Sequence, residues 1–205
     1  MRFPQSFLVV SAYFLVMSGA QAAAIYSYVG NNFNQISDPT PPSGTYTGSM
    51  SVTGSFEVGS LLSPMSLADI SGLVTSYSFN DGRQTLDDSN SDISSFTIEI
   101  LGDGSVGEWR IDVRSPFSSP AFVGATFQRI LTSDTSSLVT QDIGSIQECT
   151  AVSGSPASCS STSLSDVGQV SLTPGTWSVV PIPAAVWLFG SALGLMGWIR
   201  HRQTH

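Results

Sequence analysis

The side chains able to do acid–base or nucleophilic chemistry are few. Serine is abundant at 37 residues, yet the chain has no lysine, and its two histidines, His201 and His205, sit at the extreme C-terminus. Between residues 23 and 180 the basic side chains are Arg83, Arg110, Arg114 and Arg129, none of which deprotonates a hydroxyl at neutral pH. Ser-His-Asp and Ser-Lys arrangements are therefore unavailable there. Carboxylate chemistry remains. A hairpin of Phe96–Leu101 and Val106–Arg114, turning in two residues at Asp103-Gly104, sets Glu99 opposite Glu108 with Arg110 diagonal to Glu99. Ile98 then faces Trp109 and Phe96 faces Ile111 on the other side. Two carboxylates held across a sheet are the equipment of glycoside hydrolysis. Opposed on a wet face beside an arginine, they are also an ordinary solvated pair, and the apolar pairs already explain the alternation. The solvated pair is the preferred reading, so no catalytic residue is assigned and the chain is not expected to be an enzyme.

Metal and thiol chemistry are equally thin. Asp87-Asp88-Ser89-Asn90-Ser91-Asp92 is a run of oxygen donors suited to Ca²⁺, but it lacks the fixed Gly and terminal Glu of an EF-hand loop and reads as a solvated loop. Zinc has only Cys149 and Cys159 to bind besides the terminal histidines. No metal or cofactor is expected. The two cysteines enclose Ser153-Gly154-Ser155-Pro156 in a polar loop, and in an oxidising compartment they should form a disulfide. No basic residue lies nearby in sequence to activate either thiol.

The elements that must carry these residues follow from patterning. The chain has 205 residues and a formal net charge of −8, with only 11% charged side chains and 53 Ser plus Thr. That is one domain's length, and the missing cationic stripe excludes a nucleic-acid partner. Period-two alternation with β-branched or aromatic residues marks strands at Ala24–Val29, Tyr46–Val58, Val74–Phe79, Arg83–Leu86, Phe96–Leu101, Val106–Arg114, Ala121–Leu131 and Thr176–Val180. Asn80-Asp81-Gly82 and Gly102-Asp103-Gly104 are turn chemistry. Pro39, Pro41 and Pro42 imply a loop crossing the sheet edge after the first strand. The expected fold is all-β, an antiparallel sandwich or jelly-roll-like domain over residues 23–178. Tyr46, Tyr77 and Phe117 are its candidate exposed aromatic platforms for sugar binding.

The two ends differ from this domain. Residues 1–22 carry Arg2, an apolar run from Phe7 to Met17, and the small residues Ala20 and Ala22, which is the pattern of a secretory signal peptide cut between Ala22 and Ala23. At the other end Val180-Pro181-Ile182-Pro183-Ala184 leads into an uncharged stretch, 184–199, that predicts a short transmembrane helix, followed by a basic tail, 200–205, with Arg200 and Arg202. Arginines just past the helix keep that end cytoplasmic and place everything before Pro181 outside. The exported part carries all 15 acids and four arginines, a net of −11. Gly190 and Gly194 also have the spacing of a helix-pairing motif.

Val180-Pro181-Ile182-Pro183-Ala184, then Ala185-Val186-Trp187-Leu188-Phe189-Gly190-Ser191 and the arginines, resembles the VPLPA-type variant of the PEP-CTERM protein-sorting signal of Gram-negative bacteria, with Ile182 where that pattern prefers Leu. The resemblance implies a partner, a membrane-embedded exosortase that cuts near the Pro motif, and a destination in the cell envelope, at the surface or in extracellular matrix. Tyr26-Ser27-Tyr28-Val29-Gly30-Asn31-Asn32-Phe33, Gly54-Ser55-Phe56-Glu57-Val58, Asp69-Ile70-Ser71, Tyr77-Ser78-Phe79-Asn80-Asp81-Gly82 and Gly107-Glu108-Trp109 resemble the β-rich domain that such proteins often carry. The expected role is structural or adhesive, with extracellular polysaccharide as the partner implied by that context. A permanently anchored single-pass protein and a carboxylate-dependent exported glycoside hydrolase are the alternatives.

Overall fold

The computed structural model describes residues 23–37, 46–116, 121–136 and 138–181. Among the described residues twelve strands run in chain order: β1 Ala24–Asn32, β2 Gln35–Ser37, β3 Ser51–Val58, β4 Met65–Asp69, β5 Val74–Asn80, β6 Thr85–Asp87, β7 Asp92–Ile100, β8 Val106–Arg114, β9 Thr126–Thr135, β10 Leu138–Ser153, β11 Ser158–Ser171 and β12 Thr176–Pro181. They form a five-stranded sheet, β12-β1-β3-β5-β6, packed on a seven-stranded sheet, β2-β11-β10-β9-β8-β7-β4. Every pairing is antiparallel. Among the described residues no helix is long and apolar enough to cross a membrane.

Alternation builds the core. Tyr26, Tyr28, Phe56, Phe79, Phe96, Ile98 and Ile111 are buried at every second position of their strands, as a two-layer sandwich requires. Within the first sheet Tyr26 stacks on Phe56 at 4.8 Å, and Phe56 meets Phe96 of the other sheet edge-on at 5.0 Å. Strand β1 crosses the second sheet rather than following one of its strands. The Tyr26 hydroxyl accepts the Leu62 N–H just before β4, Tyr28 reaches Trp109 on β8 and Asp142 on β10, and Phe33 lies over Gly168 on β11.

The central hairpin keeps its expected apolar pairs, Phe96 opposite Ile111 and Ile98 opposite Trp109. Its turn differs. The Gly104 N–H bonds to the Leu101 carbonyl, Gly104 has φ +84°, and the register slips between Ile98 and Ile100. This is a type I turn followed by a left-handed glycine, so Gly102 and Asp103 are the central residues rather than Asp103 and Gly104. The expected pairing also fails at the carboxylates, because the bulge takes Glu99 and Glu108 out of direct opposition.

Four strands, β2, β4, β10 and β11, lie outside the expected set. The cysteines accordingly sit in a long hairpin rather than a polar loop: Cys149 of β10 is opposite Thr162, and Cys159 of β11 is opposite Val152. They are bonded to each other with Cα atoms 5.8 Å apart. Closing this 11-residue loop stabilises by roughly 3 kcal/mol on the chain-entropy estimate.

Gly168 tests the packing of β11. A Cβ there would come within 2.6 Å of the Phe33 ring and 2.9 Å of the Tyr46 ring, whereas one on Gly102 meets nothing. In urea unfolding, Gly168→Ala is expected to lower stability by roughly 1–3 kcal/mol and Gly102→Ala by less than about 0.5 kcal/mol.

Candidate functional site

The described part of the expected sorting motif is a strand. Val180 and Pro181 end β12, an edge strand, and its register against β1 sets Val180 opposite Ile25 and Pro181 opposite Ala24. Proline, which has no N–H to give to a ladder, is at home at the end of an edge strand. Ala23 directly precedes β1. The expected signal-cleavage point and the expected sorting motif are therefore brought side by side by backbone pairing. Ala22, Ile182, Pro183, Ala184, Arg200 and Arg202 lie outside the described residues, as do the apolar stretches at both ends.

Two contacts hold β12 in this register from its far end. The Gly175 N–H donates to the Tyr28 hydroxyl at 3.0 Å, and the Trp177 ring lies 4.9 Å from that of Tyr28. Tyr28 in turn donates to both carboxylate oxygens of Asp142, at 2.8 and 2.9 Å. The Thr132 hydroxyl bonds to the same group and accepts the Trp109 indole N–H at 2.9 Å. Gly175, Tyr28, Asp142, Thr132 and Trp109 thus form one polar chain across the sandwich. Burial pushes the Asp142 carboxyl up to about 6, against the hydrogen bonds from Thr132 and Tyr28 that favour its ionised form.

The other expected sites are accounted for by structure. Glu99 accepts the Glu108 backbone N–H at 3.0 Å, while the Glu108 carboxylate turns away to accept the Ser136 N–H at 3.0 Å. The pair does not converge on a shared space. In the acidic loop, the Ser89 hydroxyl and N–H bond to Asp87 and hold its carboxyl below the usual range, and Asn90 caps the Asp87 N–H. Among the described residues no group of three or more His, Cys, Asp or Glu is placed to hold a metal. Tyr46 and Tyr77 are buried, not exposed platforms: Tyr46 donates to Asp81 at 2.7 Å and Tyr77 donates to the Ser91 carbonyl. Phe117 lies outside the described residues.

Asp142 and Asp112 are buried carboxylates that the sequence reading did not single out. Asp142 sits in a Ser- and Gly-rich stretch with no alternation to give its face. Asp112 had a signal, because Arg110, Asp112 and Arg114 share one face of β8 by period two. Arg114 and Arg129 each bind Asp112 through two nitrogens, with closest approaches of 3.0 and 2.7 Å, and Arg110 stands at 3.5 Å. Burial opposes the charge on Asp112, but the bonds from Arg129 and Arg114 prevail and hold its carboxyl below the usual range.

The outward face of the five-stranded sheet is a hydroxyl surface. Ser178, Ser27, Ser55 and Ser78 form a row across β12, β1, β3 and β5 that ends opposite Asp87. A shallow groove of about 270 Å³ lies on this face, walled by Ser55, Glu57, Ser76, Ser78, Asp87 and Asp88.

The Asp142 carboxyl releases its proton near pH 3.8 in the unfolded chain and near 6 in the folded one. Between these values the folded state binds more protons, so this group's contribution to stability falls as pH rises and is constant above about 6. Relative to Asp142→Asn, the wild-type protein is expected to lose roughly 2 kcal/mol between pH 4 and 7, measured as paired urea midpoints. Asp112 acts oppositely, losing stability only as pH falls below about 4.

No protein-family model, curated protein or solved structure matches this chain.

Proposed function

We propose that this chain is an exported envelope or surface protein whose C-terminal segment is a removable sorting signal. Residues 1–22 act as the signal peptide, 23–178 as the exported domain and 179–205 as the sorting segment, with a transmembrane helix over 184–199. An exosortase-type membrane protease of a Gram-negative bacterium is the processing partner, and Val180 to Ala184 is what it reads. The protein passes through the inner membrane as a single-pass intermediate and ends in the envelope, at the surface or in extracellular matrix.

The observation that carries this reading is the pairing of Ala24 with Pro181. A signal peptide and a C-terminal anchor both hold the chain at the same bilayer face, so a domain tethered by them must deliver its two ends to one side. Strand β1 leaves that side and β12 returns to it. Because Val180 and Pro181 are held in the ladder, cutting C-terminal to Pro181 leaves the sandwich whole.

The role of the released domain is structural or adhesive. Its serine row offers closely spaced hydroxyls beside the groove acids Glu57, Asp87 and Asp88, a surface that suits a hydroxyl-rich polysaccharide, while Glu99 and Glu108, each accepting a different backbone N–H, do not form an acid–base pair. Mass spectrometry of the mature protein is expected to show a first residue at Ala23 and no peptide reaching His205. Replacing Pro181 and Pro183 by alanine should accumulate a longer, membrane-bound form. A mature chain that still ends at His205 would instead establish the permanently anchored protein.

A further inference from the structure

We infer that the Ala24–Pro181 end of the domain is a bilayer-contacting surface, with Leu61 and Leu73 seated among lipid headgroups while the chain is tethered. The inference rests on the anchoring role proposed for residues 184–199. Pairing lines up one terminal row across four strands: Pro181, Ala24, Val58 and Val74. The loop leaving Val58 carries Leu61, 50% exposed, and the turn reaching Val74 carries Leu73, 54% exposed. A groove of about 260 Å³ joins the two segments, lined by Val58, Gly59, Leu62, Gly72 and Leu73. Val180, 56% exposed, lies one residue in from the same row. The opposite end has exposed apolar side chains of its own, Leu172 at 77% and Val29 at 58%, so what singles out this rim is the chain leaving it at Pro181.

The occupant follows from where the chain goes next. Two residues, Ile182 and Pro183, lie between Pro181 and Ala184, the first residue of the uncharged stretch, and three residue steps span at most about 10 Å. The rim therefore cannot stand more than about 10 Å from the point where the apolar segment begins. A tethered surface meets the bilayer at high effective concentration, so weak apolar partitioning suffices. Charge argues that the contact is apolar. Arg110, Arg114 and Arg129 gather on Asp112, and Arg83 lies against Asp166 and Tyr46, all away from this row. The acids beside it are Glu57 on β3 and Asp69, whose carboxylate is occupied by the Ser71 N–H.

The test uses the tethered form, residues 23–205 with the C-terminal segment retained, reconstituted in phosphatidylcholine vesicles whose acyl chains carry bromine. The native cysteines are bonded to each other, so a single added cysteine takes an environment-sensitive fluorophore selectively. Leu61→Cys and Leu73→Cys report on the rim. Ile36→Cys and Leu172→Cys report on the opposite end, roughly 25 Å away along β1 at ~3.3 Å per residue. The expected result is at least about twofold stronger quenching at 61 and 73 than at 36 and 172, unchanged at high salt. Protein that floats with the vesicles but shows equal quenching at all four positions would overturn the inference alone. Protein that fails to float would overturn the anchoring on which it rests, and the inference with it.

Discussion

The ladder between β1 and β12 is the constraint on which the rest depends. Six residue pairs, from Ala24 with Pro181 to Val29 with Thr176, join the first described strand to the last. Without that ladder the five-stranded sheet would lose its edge, Tyr28 would lose the strand that shields it, and the chain's two ends would no longer leave together. An edge strand is ordinarily the weakest part of a sandwich. Here it is reinforced from the inside, since Trp177 packs against Tyr28, Phe56 and Trp109 while Gly175 bonds to the Tyr28 hydroxyl.

That reinforcement reaches across the whole sandwich through Asp142. A carboxylate buried between two sheets opposes folding at neutral pH, because desolvation disfavours its charge more than the hydroxyls of Tyr28 and Thr132 favour it. What it contributes is geometry: one acceptor fixes how β1 lies over β9 and β10 in a sandwich whose remaining contacts are largely non-directional. Asp112 solves the opposite problem. Three guanidiniums surround it, so its charge is compensated where it stands, and three of the four arginines among the described residues are drawn to one place. The rest of the surface is left to hydroxyls and scattered acids.

Much of the fold was readable wherever apolar residues alternate. The strands around Tyr26, Phe56, Phe79, Phe96 and Ile111 carry that pattern, and the Phe96–Ile111 register, reached from a turn set at Asp103-Gly104 that gives one apolar face, is the observed one. The turn between them did not follow. The choice between Asp103-Gly104 and Gly102-Asp103 as central residues depends on which glycine takes the left-handed conformation, and both are available. Strands β10 and β11 were invisible for a different reason: Gly144, Ser145, Gly168 and the run Ser158 to Ser165 have no apolar period, and the hairpin is held by backbone pairing, the disulfide and close approach at glycine. Of the candidate site, the Pro motif and cysteines were legible as residue types. That Val180 belongs to a strand followed from the alternation over Thr176–Val180; that the strand reaches Pro181 and lies beside Ala24 required the long-range pairing of the first strand with the last.

The account stands or falls on β12 being a permanent member of the sheet. Amide hydrogen exchange of the full processed chain, read on the peptide covering 176–181, measures this directly. Protection comparable to that of β3, the other neighbour of β1, is the predicted result. Exchange of 176–181 at the rate of an unstructured chain, with β3 still protected, would contradict the account, because the two ends of the domain would then have nothing to hold them together.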